Sequence, residues 1–401
     1  MNQLEPQPWM TEPATRRLFA ALEQAGIAAR FVGGCVRDAL LGEEIGDIDI
    51  ATPARPEELI AALDQAGIKT VPTGIAHGTV TALVPPRHYE ITTLRRDVET
   101  YGRRAKVAFD ADWVEDASRR DFTINAIYLE PDGAIHDPAG GVADLKARRV
   151  RFVGDATRRI AEDVLRLLRY YRFEARFGTG KGDPAARAAC RDAAPLLPKL
   201  SAERVAGELL RLLSVVDPVP ALRMMQEDGV LAAILPEATR RDRLATLIKI
   251  ERTPDPLRRL AALIDVDAAG AAALADRLRL SNTQRERLAG LAPPWPLDPG
   301  GNDRAQRRAL YDLGRERYRD FVLLLAAEGR IAPARRQKLL ALAEQWSPPE
   351  FPLTGRDVTA LGIPPGSRVG RLLDQLRRWW EEGDFTADRE ACLRRLKEIV
   401  G

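Results

Sequence analysis

Two aspartates separated by one residue are the feature of this 401-residue sequence with the clearest chemistry. Asp47 and Asp49 stand in the run Gly-Asp-Ile-Asp-Ile, where a β-strand over 47–50 would place both carboxylates on one face and send the isoleucines into a core. Mg²⁺ prefers oxygen ligands and usually shares them with substrate phosphates. We therefore predict a Mg²⁺ site at Asp47 and Asp49, with phosphoryl or nucleotidyl transfer as the reaction. A solvated turn is the ordinary alternative for an isolated Asp-x-Asp.

A glycine pair and an arginine precede the aspartates. Gly33 and Gly34 follow an apolar run, and glycine allows the backbone to turn tightly and approach a ligand closely. Residues 35–41 predict a short helix whose N-terminal amides can receive a phosphate, and Arg37 offers planar donors to the same group. This segment predicts a phosphate-binding turn next to the metal site.

A second cluster, Arg-Arg-Asp-Phe-Thr-Ile-Asn-Ala, occupies residues 119–126. Adjacent guanidinium groups are natural partners for a triphosphate, because each can donate two parallel hydrogen bonds. Arg119 and Arg120 could therefore hold a triphosphate. A structural Arg–Asp pair at the start of a helix is the alternative.

A third cluster begins at Glu162 and predicts one long helix through Phe173. Asp163, Arg166 and Arg169 would share a face of this helix, since residues three apart on a helix are neighbours. Cytosine and adenine both present an amine beside a ring-nitrogen acceptor, whereas uracil and guanine reverse that order. A carboxylate and a guanidinium on one face could therefore read either base, and exposed ion pairs are the structural alternative.

Taken in order, these motifs resemble those of the class II CCA-adding enzymes, in the tRNA nucleotidyltransferase and poly(A) polymerase family of the polymerase β superfamily. The resemblance covers residues 28 to about 215. It implies that CMP and AMP, from CTP and ATP, are added without a template to the 3′ end of tRNA by a two-metal mechanism that releases pyrophosphate. The family pattern includes a third carboxylate on a later strand, and Glu90 stands where it would fall. Whether Glu90 binds metal stays open.

The resemblance implies two sets of site residues. The catalytic set is Asp47, Asp49 and Glu90, with the metals on Asp47 and Asp49. The nucleotide-binding set is Gly33, Gly34, Arg37, Arg120, Asp163, Arg166, Arg169 and Arg172. In the second set, Arg169 and Arg172 would contact phosphates or brace the pocket.

Other functions stay open at this point. Poly(A) polymerases share the head and neck motifs, and so would an enzyme that adds only A to tRNA. An inactive RNA-binding scaffold is disfavoured by the retained Asp-x-Asp pair. Residues 95–120 form a charged run without a steady period, which predicts a mobile loop, and its Asp-Val-Glu-Thr-Tyr-Gly-Arg-Arg part favours CCA addition. Tyr101 stands in that part, where the family more often has a small or acidic residue.

Composition permits an RNA partner and indicates no membrane. The formal net charge is +3, and hydrophobic residues make up 45% of the chain. No stretch approaches the roughly 18 uncharged apolar residues that a membrane span needs. Three widely separated cysteines suit a reducing compartment. We therefore expect a cytoplasmic protein whose partners are tRNA, CTP and ATP, with no protein partner evident.

The spacing of apolar residues predicts an α+β fold, with a small mixed-sheet head followed by helices. We expect a nucleotidyltransferase head at 1–150 and a helical neck, bearing the base-reading helix, at 151–215. Pro-rich joints then separate a helical body at 216–300 from a helical tail at 301–401, which we expect to contact tRNA.

Overall fold

The computed structural model describes residues 3–101, 104–109 and 111–400, and leaves out the side chains of Ala76 and of residues 96–108. The chain forms two compact units. The first comprises Met1–Ala238 and Arg277–Arg279, and the second comprises Thr239–Asp276 and Leu280–Gly401. The α+β fold is confirmed, because a mixed sheet lies near the N-terminus and helices follow it. The finer division into head, neck, body and tail stays a prediction.

A mixed β-sheet forms the centre of the first unit. Its strands, and those of a separate pair, are β1 (Arg30–Val32), β2 (Asp49–Thr52), β3 (Lys69–Gly74), β4 (Thr79–Val84), β5 (Arg87–Thr93), β6 (Arg96–Tyr101), β7 (Arg104–Ala108), β8 (Tyr128–Leu129) and β9 (Ile135–His136). The sheet has the order β3-β4-β5-β2-β1-β8-β9, while β6 pairs only with β7 among the described strands. β2 and β5 run parallel, and the other neighbours are antiparallel. The parallel pair sets the two strands that bear the predicted carboxylates side by side.

Helices make up most of the remaining first unit. They are α1 (Pro8–Thr11), α2 (Pro13–Gln24), α3 (Gly34–Leu40), α4 (Pro56–Gln65), α5 (Trp113–Ser118), α6 (Gly141–Lys146), α7 (Ala156–Glu162), α8 (Leu165–Phe177), α9 (Pro184–Ala193), α10 (Ala202–Leu213), α11 (Val219–Glu227) and α12 (Val230–Ile234). Three short 3-10 turns join them, at Ile75–His77, Thr123–Asn125 and Ala194–Lys199.

The core of the head packs against β1 and β2. Phe31 and Ile50 are fully buried, and the rings of Trp9 and Phe19 lie against Phe31 with centroids 4.7 and 4.6 Å away. Ile48 is buried too, as its place between the two aspartates predicts. Because Ile48 and Ile50 enter the core, Asp49 between them is directed away from it.

Two local predictions about the head are wrong. The strand begins at Asp49 rather than two residues earlier, so Asp47 lies in the bend before β2. The segment 95–120 is not a loop throughout, because β6 and β7 pair antiparallel and α5 follows them. Charged residues alternate with the valines and the threonine that favour a strand there, so the strands are hard to recognise from the sequence. Tyr101 belongs to β6, and its side chain is outside the description.

The continuous helix predicted from Glu162 is also wrong. α7 ends at Glu162, and Asp163 is extended, with a φ of −153°. The backbone amide of Leu165 donates to the Asp163 carboxylate at 3.1 Å, so the aspartate serves the start of α8. Asp side chains compete with the helix for backbone amides in this way, which explains the interruption.

The second unit is helical throughout the residues described. Its helices are α13 (Arg241–Ile250), α14 (Pro256–Leu263), α15 (Ala268–Arg277, whose last residue belongs to the first unit), α16 (Asn282–Leu291), α17 (Asp303–Leu313), α18 (Arg315–Ala327), α19 (Pro333–Gln345), α20 (Gly355–Thr359), α21 (Ser367–Glu382) and α22 (Arg389–Val400). The buried guanidinium of Arg258 pairs with Glu251 at 2.6 Å and with Asp320 at 2.8 Å, and the second contact joins the segments predicted as body and tail. None of the described helices combines the length and apolarity needed to cross a membrane.

Candidate functional site

Two carboxylates lie in register on the parallel strand pair, and a third acts on one of them through its charge. Asp49 opens β2 and lies in register with Glu90 of β5, while Asp47 is exposed just before the strand. Burial raises the pKa of Asp49 to about 6, the negative charges of Glu90 and Asp47 act in the same direction, and Arg120 opposes them. Among the described residues, no group of three or more His, Cys, Asp or Glu side chains could hold a metal ion. The all-oxygen pair Asp47 and Asp49 suits a hard divalent cation that takes its other ligands from substrate and water.

The glycine turn lies directly beside these carboxylates. Gly33 has a φ of +78°, a conformation that other residues rarely adopt, so glycine is required there. A Cβ at Gly33 would lie 3.8 Å from Asp49 Oδ2 and 3.9 Å from Arg120 Nη1. A Cβ at Gly34, the first residue of α3, would lie 3.7 Å from Arg37 Nη2. The turn therefore brings backbone, an aspartate and two arginines close together.

Arg37 is held by protein groups and is only 6% exposed. Its Nε and Nη2 donate to Asp38 Oδ1 at 2.8 and 2.7 Å, and Nη1 donates to Asn125 Oδ1 at 2.7 Å. The Arg37 guanidinium also lies 4.3 Å from the centre of the Phe177 ring. Burial lowers the pKa of Arg37, and Asp38 counteracts that effect. Its position is thus fixed before any ligand arrives.

A chain of polar contacts connects α3 with α8. The amide of Asn125, which accepts from Arg37, donates from Nδ2 to Asp121 Oδ1 at 3.0 Å. Asp121 Oδ2 in turn accepts from Arg169 Nε at 2.8 Å. Sequence analysis singled out the run that contains Asp121 and Asn125 but assigned neither residue. Their spacing of four residues within that run is the signal that could have paired them.

Arg120 is placed by a buried carboxylate that sequence analysis missed. Its Nε and Nη2 donate to Asp116 Oδ2 at 3.1 and 3.0 Å, and its guanidinium lies 5.3 Å from the centre of the Tyr128 ring. Asp116 stands in α5, within the segment predicted as a loop. Helical spacing of four residues would have paired it with Arg120, had the helix been recognised.

The predicted base-reading pair does not share a helical face. Asp163 Oδ2 accepts from Arg204 Nη2 of α10 at 2.7 Å. Arg166 Nη1 donates to Glu162 Oε2 at 2.5 Å, and its Nη2 donates to the backbone oxygen of Arg119 at 3.3 Å. Because the helix is interrupted before α8, the side chains of Asp163 and Arg166 have different partners, although both residues lie at the start of α8.

One side of α8 carries further arginines around the buried ring of Phe173. Arg169 and Arg172 lie 5.4 and 4.4 Å from the centre of the Phe173 ring, and Arg172 Nε donates to Glu208 Oε2 at 2.6 Å. One turn on, Arg176 Nη2 donates to Glu43 at 2.8 Å. The last arginine was missed by sequence analysis, although its spacing of four residues from Arg172 places it on the same side of the helix.

Comparisons with known proteins decide the family. Residues 29–151 match the poly A polymerase head domain, and residues 183–241 match the family described as a probable RNA and SrmB-binding site of polymerase A. The CCA tRNA nucleotidyltransferase 1, mitochondrial, of Danio rerio is 34% identical, over 92% of this chain and 87% of its own length. This chain belongs to the CCA-adding tRNA nucleotidyltransferase family. The resemblance inferred from the motifs is confirmed.

Other members of the CCA-adding family agree in sequence and fold. The CCA-adding enzyme of Lacticaseibacillus paracasei is 35% identical, over 92% of each chain. The crystal structure of the Bacillus stearothermophilus CCA-adding enzyme in complex with CTP has a TM-score of 0.78 and 30% identity, covering 97% of this chain and 98% of that one. The Thermotoga maritima CCA-adding enzyme, solved with tRNA, shares the fold with a TM-score of 0.69 at 20% identity, and the two chains cover each other completely, at 100% each. Nucleotidyltransferases of this family generally use divalent metal ions, which the carboxylate pair suits.

Proposed function

We propose that this protein adds CMP and AMP, from CTP and ATP, to the 3′ end of tRNA and so builds or repairs the CCA terminus. The observation that carries the proposal is the meeting of Asp49, Gly33 and Arg120 beside Glu90, in a chain of the CCA-adding family. A carboxylate pair and a glycine turn in contact provide the two parts that nucleotidyl transfer needs, namely a metal site and a phosphate site.

The metal we propose is Mg²⁺, held by Asp47 and Asp49. Two such ions would activate the primer hydroxyl and balance the charge of the departing pyrophosphate. Asp49 holds its carboxylate at the start of a strand, where backbone pairing to β5 fixes it. Asp47 stands in the exposed bend just before that strand. We propose Glu90 as the third carboxylate, which acts on Asp49 through its negative charge.

The triphosphate would lie against the glycine turn. We propose that the backbone at Gly33 and Gly34 approaches the phosphates closely, since neither residue has a Cβ in the way. Arg37 and Arg120 would donate to phosphate oxygens from positions that protein carboxylates already fix. Little side-chain freedom is then lost when the nucleotide binds, which favours binding.

The nucleobase would lie at the start of α8. We propose that Asp163 accepts from the exocyclic amine and that Arg166 donates to the ring nitrogen, a pair that fits cytosine and adenine alike. This proposal now rests on their common place at the helix start and no longer on a shared face. Arg169 and Arg172 would brace the pocket through Asp121 and Glu208.

The tail supplies a candidate surface for tRNA. Arg371 and Arg378 of α21 and Arg395 of α22 line one groove, which also contains Trp379 and the two carboxylates of Asp374 and Glu382. Guanidinium groups beside an aromatic ring suit phosphates and stacked bases of RNA. We propose that this groove contacts tRNA.

We also propose the cytoplasm as the compartment. The three cysteines are buried and free, which suits a reducing environment.

The decisive experiment supplies purified protein with Mg²⁺, one labelled nucleotide at a time, and tRNA lacking CCA, CA or only the final A. We expect CMP incorporation on the first two substrates and AMP incorporation only on the third. Asp49→Asn serves as the inactive control. Long tracts of A on RNA without tRNA structure would favour a poly(A) polymerase, and AMP addition without CMP addition would favour an A-only enzyme. No incorporation under any of these conditions would overturn the proposal.

A further inference from the structure

Asp116 forms a buried charge cluster beside the candidate nucleotide site. Its side chain is almost wholly buried, with 1% exposure. Oδ1 accepts from Arg119 Nε at 2.8 Å, while Oδ2 accepts from Arg120 Nε and Nη2 at 3.1 and 3.0 Å and from the Tyr128 hydroxyl at 2.7 Å. Both carboxylate oxygens are therefore engaged.

These contacts determine where the Arg120 guanidinium points. Two of its nitrogens face Asp116, and the third, Nη1, is directed to the backbone oxygen of Asn125 at 3.5 Å and to the Gly33 turn. Burial works to raise the pKa of Asp116, but Arg120 and Arg119 outweigh it and keep the pKa below its ordinary value. The carboxylate is thus present as the anion that the two arginines require.

We infer that Asp116, assisted by the Tyr128 hydroxyl, is a positioning residue that holds the Arg120 guanidinium at the Gly33 turn for the incoming triphosphate. The inference rests on the proposed contact between Arg120 and the nucleotide. Arginine has many rotamers, and an anchored guanidinium forms its phosphate contact without losing that freedom on binding. Asp116 acts through Arg120 and needs no contact with the substrate.

The chain contains a matched control for this cluster. Asp228 is 2% exposed and accepts from the Tyr171 hydroxyl at 2.8 Å, from Arg187 at 2.9 Å and from Arg191 at 2.9 Å. It therefore has the same chemistry as Asp116, with two arginines and one tyrosine. The partners of Asp228 belong to neither the catalytic nor the nucleotide-binding set. Replacing Asp228 therefore tests only the contribution of a buried carboxylate to folding stability.

The experiment measures kcat and KM for CTP and ATP in Asp116→Asn, Tyr128→Phe and Asp228→Asn, with melting temperatures for each. Asn in place of Asp116 removes the negative charge and presents an N–H group to side chains that are themselves donors. We therefore expect KM to rise on the order of 10-fold while kcat falls by less than about 3-fold. Tyr128→Phe keeps the carboxylate and should raise KM by about 3-fold. Asp228→Asn should lower the melting temperature without a change in KM.

A double-mutant cycle separates this inference from the proposed function. If Asp116 acts through Arg120, Asp116→Asn adds no further increase in KM to an Arg120→Ala protein. An Arg120→Ala protein with wild-type KM would overturn the proposed role of Arg120 itself. A raised KM in Arg120→Ala, with wild-type KM in Asp116→Asn and Tyr128→Phe, would overturn the positioning role alone. If Asp116→Asn does not fold, Tyr128→Phe decides: wild-type KM in that variant overturns the inference.

Discussion

Replacing Asp49 by Asn should make the protein inactive and more stable at the same time. The folded structure raises the pKa of Asp49 from its ordinary value of 3.8 to about 6, through burial first and then the charges of Glu90 and Asp47. Each pH unit corresponds to about 1.4 kcal/mol, so the ionised carboxylate destabilises the metal-free fold by at most about 3 kcal/mol. Partial exposure of the carboxylate reduces this to roughly 1–3 kcal/mol. An amide removes the charge while keeping the shape.

The sign of the pH dependence follows from the raised pKa. The folded state binds a proton more tightly than the unfolded chain, so the cost of ionised Asp49 is complete above pH 6 and is lost as the pH falls towards 3.8. The stability advantage of the Asn variant should therefore be largest at pH 7 to 8 and should shrink steadily below pH 6.

The assay is thermal unfolding in metal-free buffer with a chelator, at pH values on both sides of 6. A gain of 1 kcal/mol corresponds to about 2–4 °C in melting temperature for a unit of this size. Asp47→Asn is the matched control, because exposed Asp47 loses little solvation on folding and its removal relieves Asp49 only partly. Both variants should lose incorporation. Mg²⁺ should stabilise the wild type and not Asp49→Asn. Equal melting temperatures for Asp49→Asn and wild type at pH 8 would refute the reasoning.

The remaining predictions concern the nucleobase, the tRNA and the link between α3 and α8. Asp163→Ala and Arg166→Ala should lower CMP and AMP incorporation on the order of 10- to 100-fold and make UMP or GMP misincorporation measurable, and unchanged selectivity would reject a protein template. Arg371→Ala combined with Arg378→Ala should lower activity on whole tRNA, make that activity less dependent on salt, and leave activity on a minihelix unchanged. Equal losses of activity on both substrates would contradict a tRNA contact by the tail. Asn125→Ala should raise KM for both nucleotides about 10-fold, because it leaves the buried Arg37 with one partner fewer; a variant with normal KM and normal stability would show the contact to be dispensable.

The local parts of the site could be predicted from sequence. Gly33 permits the positive φ of the turn, and the isoleucines on either side of Asp49 enter the core. Both features depend only on residues that are close together in the sequence. The same reasoning failed at Asp163, where helical periodicity continues through a residue whose side chain captures a backbone amide. Periodicity reports which side chains are apolar and does not report where a polar side chain interrupts the helix.

The long-range parts could not be predicted from spacing alone. Glu90 lies beside Asp49 only because β2 and β5 pair in parallel across the sheet, and the family resemblance supplied that position. Asp116 escaped notice because its helix follows two strongly charged strands that read as a loop. Its partner Tyr128 stands in strand β8, and only the folded chain brings the two together.

Each site arginine is paired with a protein carboxylate before nucleotide binds. Arg37, Arg120 and Arg172 each lie within 3.1 Å of an acidic oxygen. Inorganic phosphate or an unrelated polyanion therefore meets guanidinium groups whose charge is already balanced, and it gains little on electrostatics alone. In the proposed site, a ligand that also supplies metal-bound oxygens and a base that fits the start of α8 would gain at several places at once. Such a pocket would discriminate by shape, and its affinity for nucleotide should vary less with ionic strength than the proposed binding of tRNA by the tail.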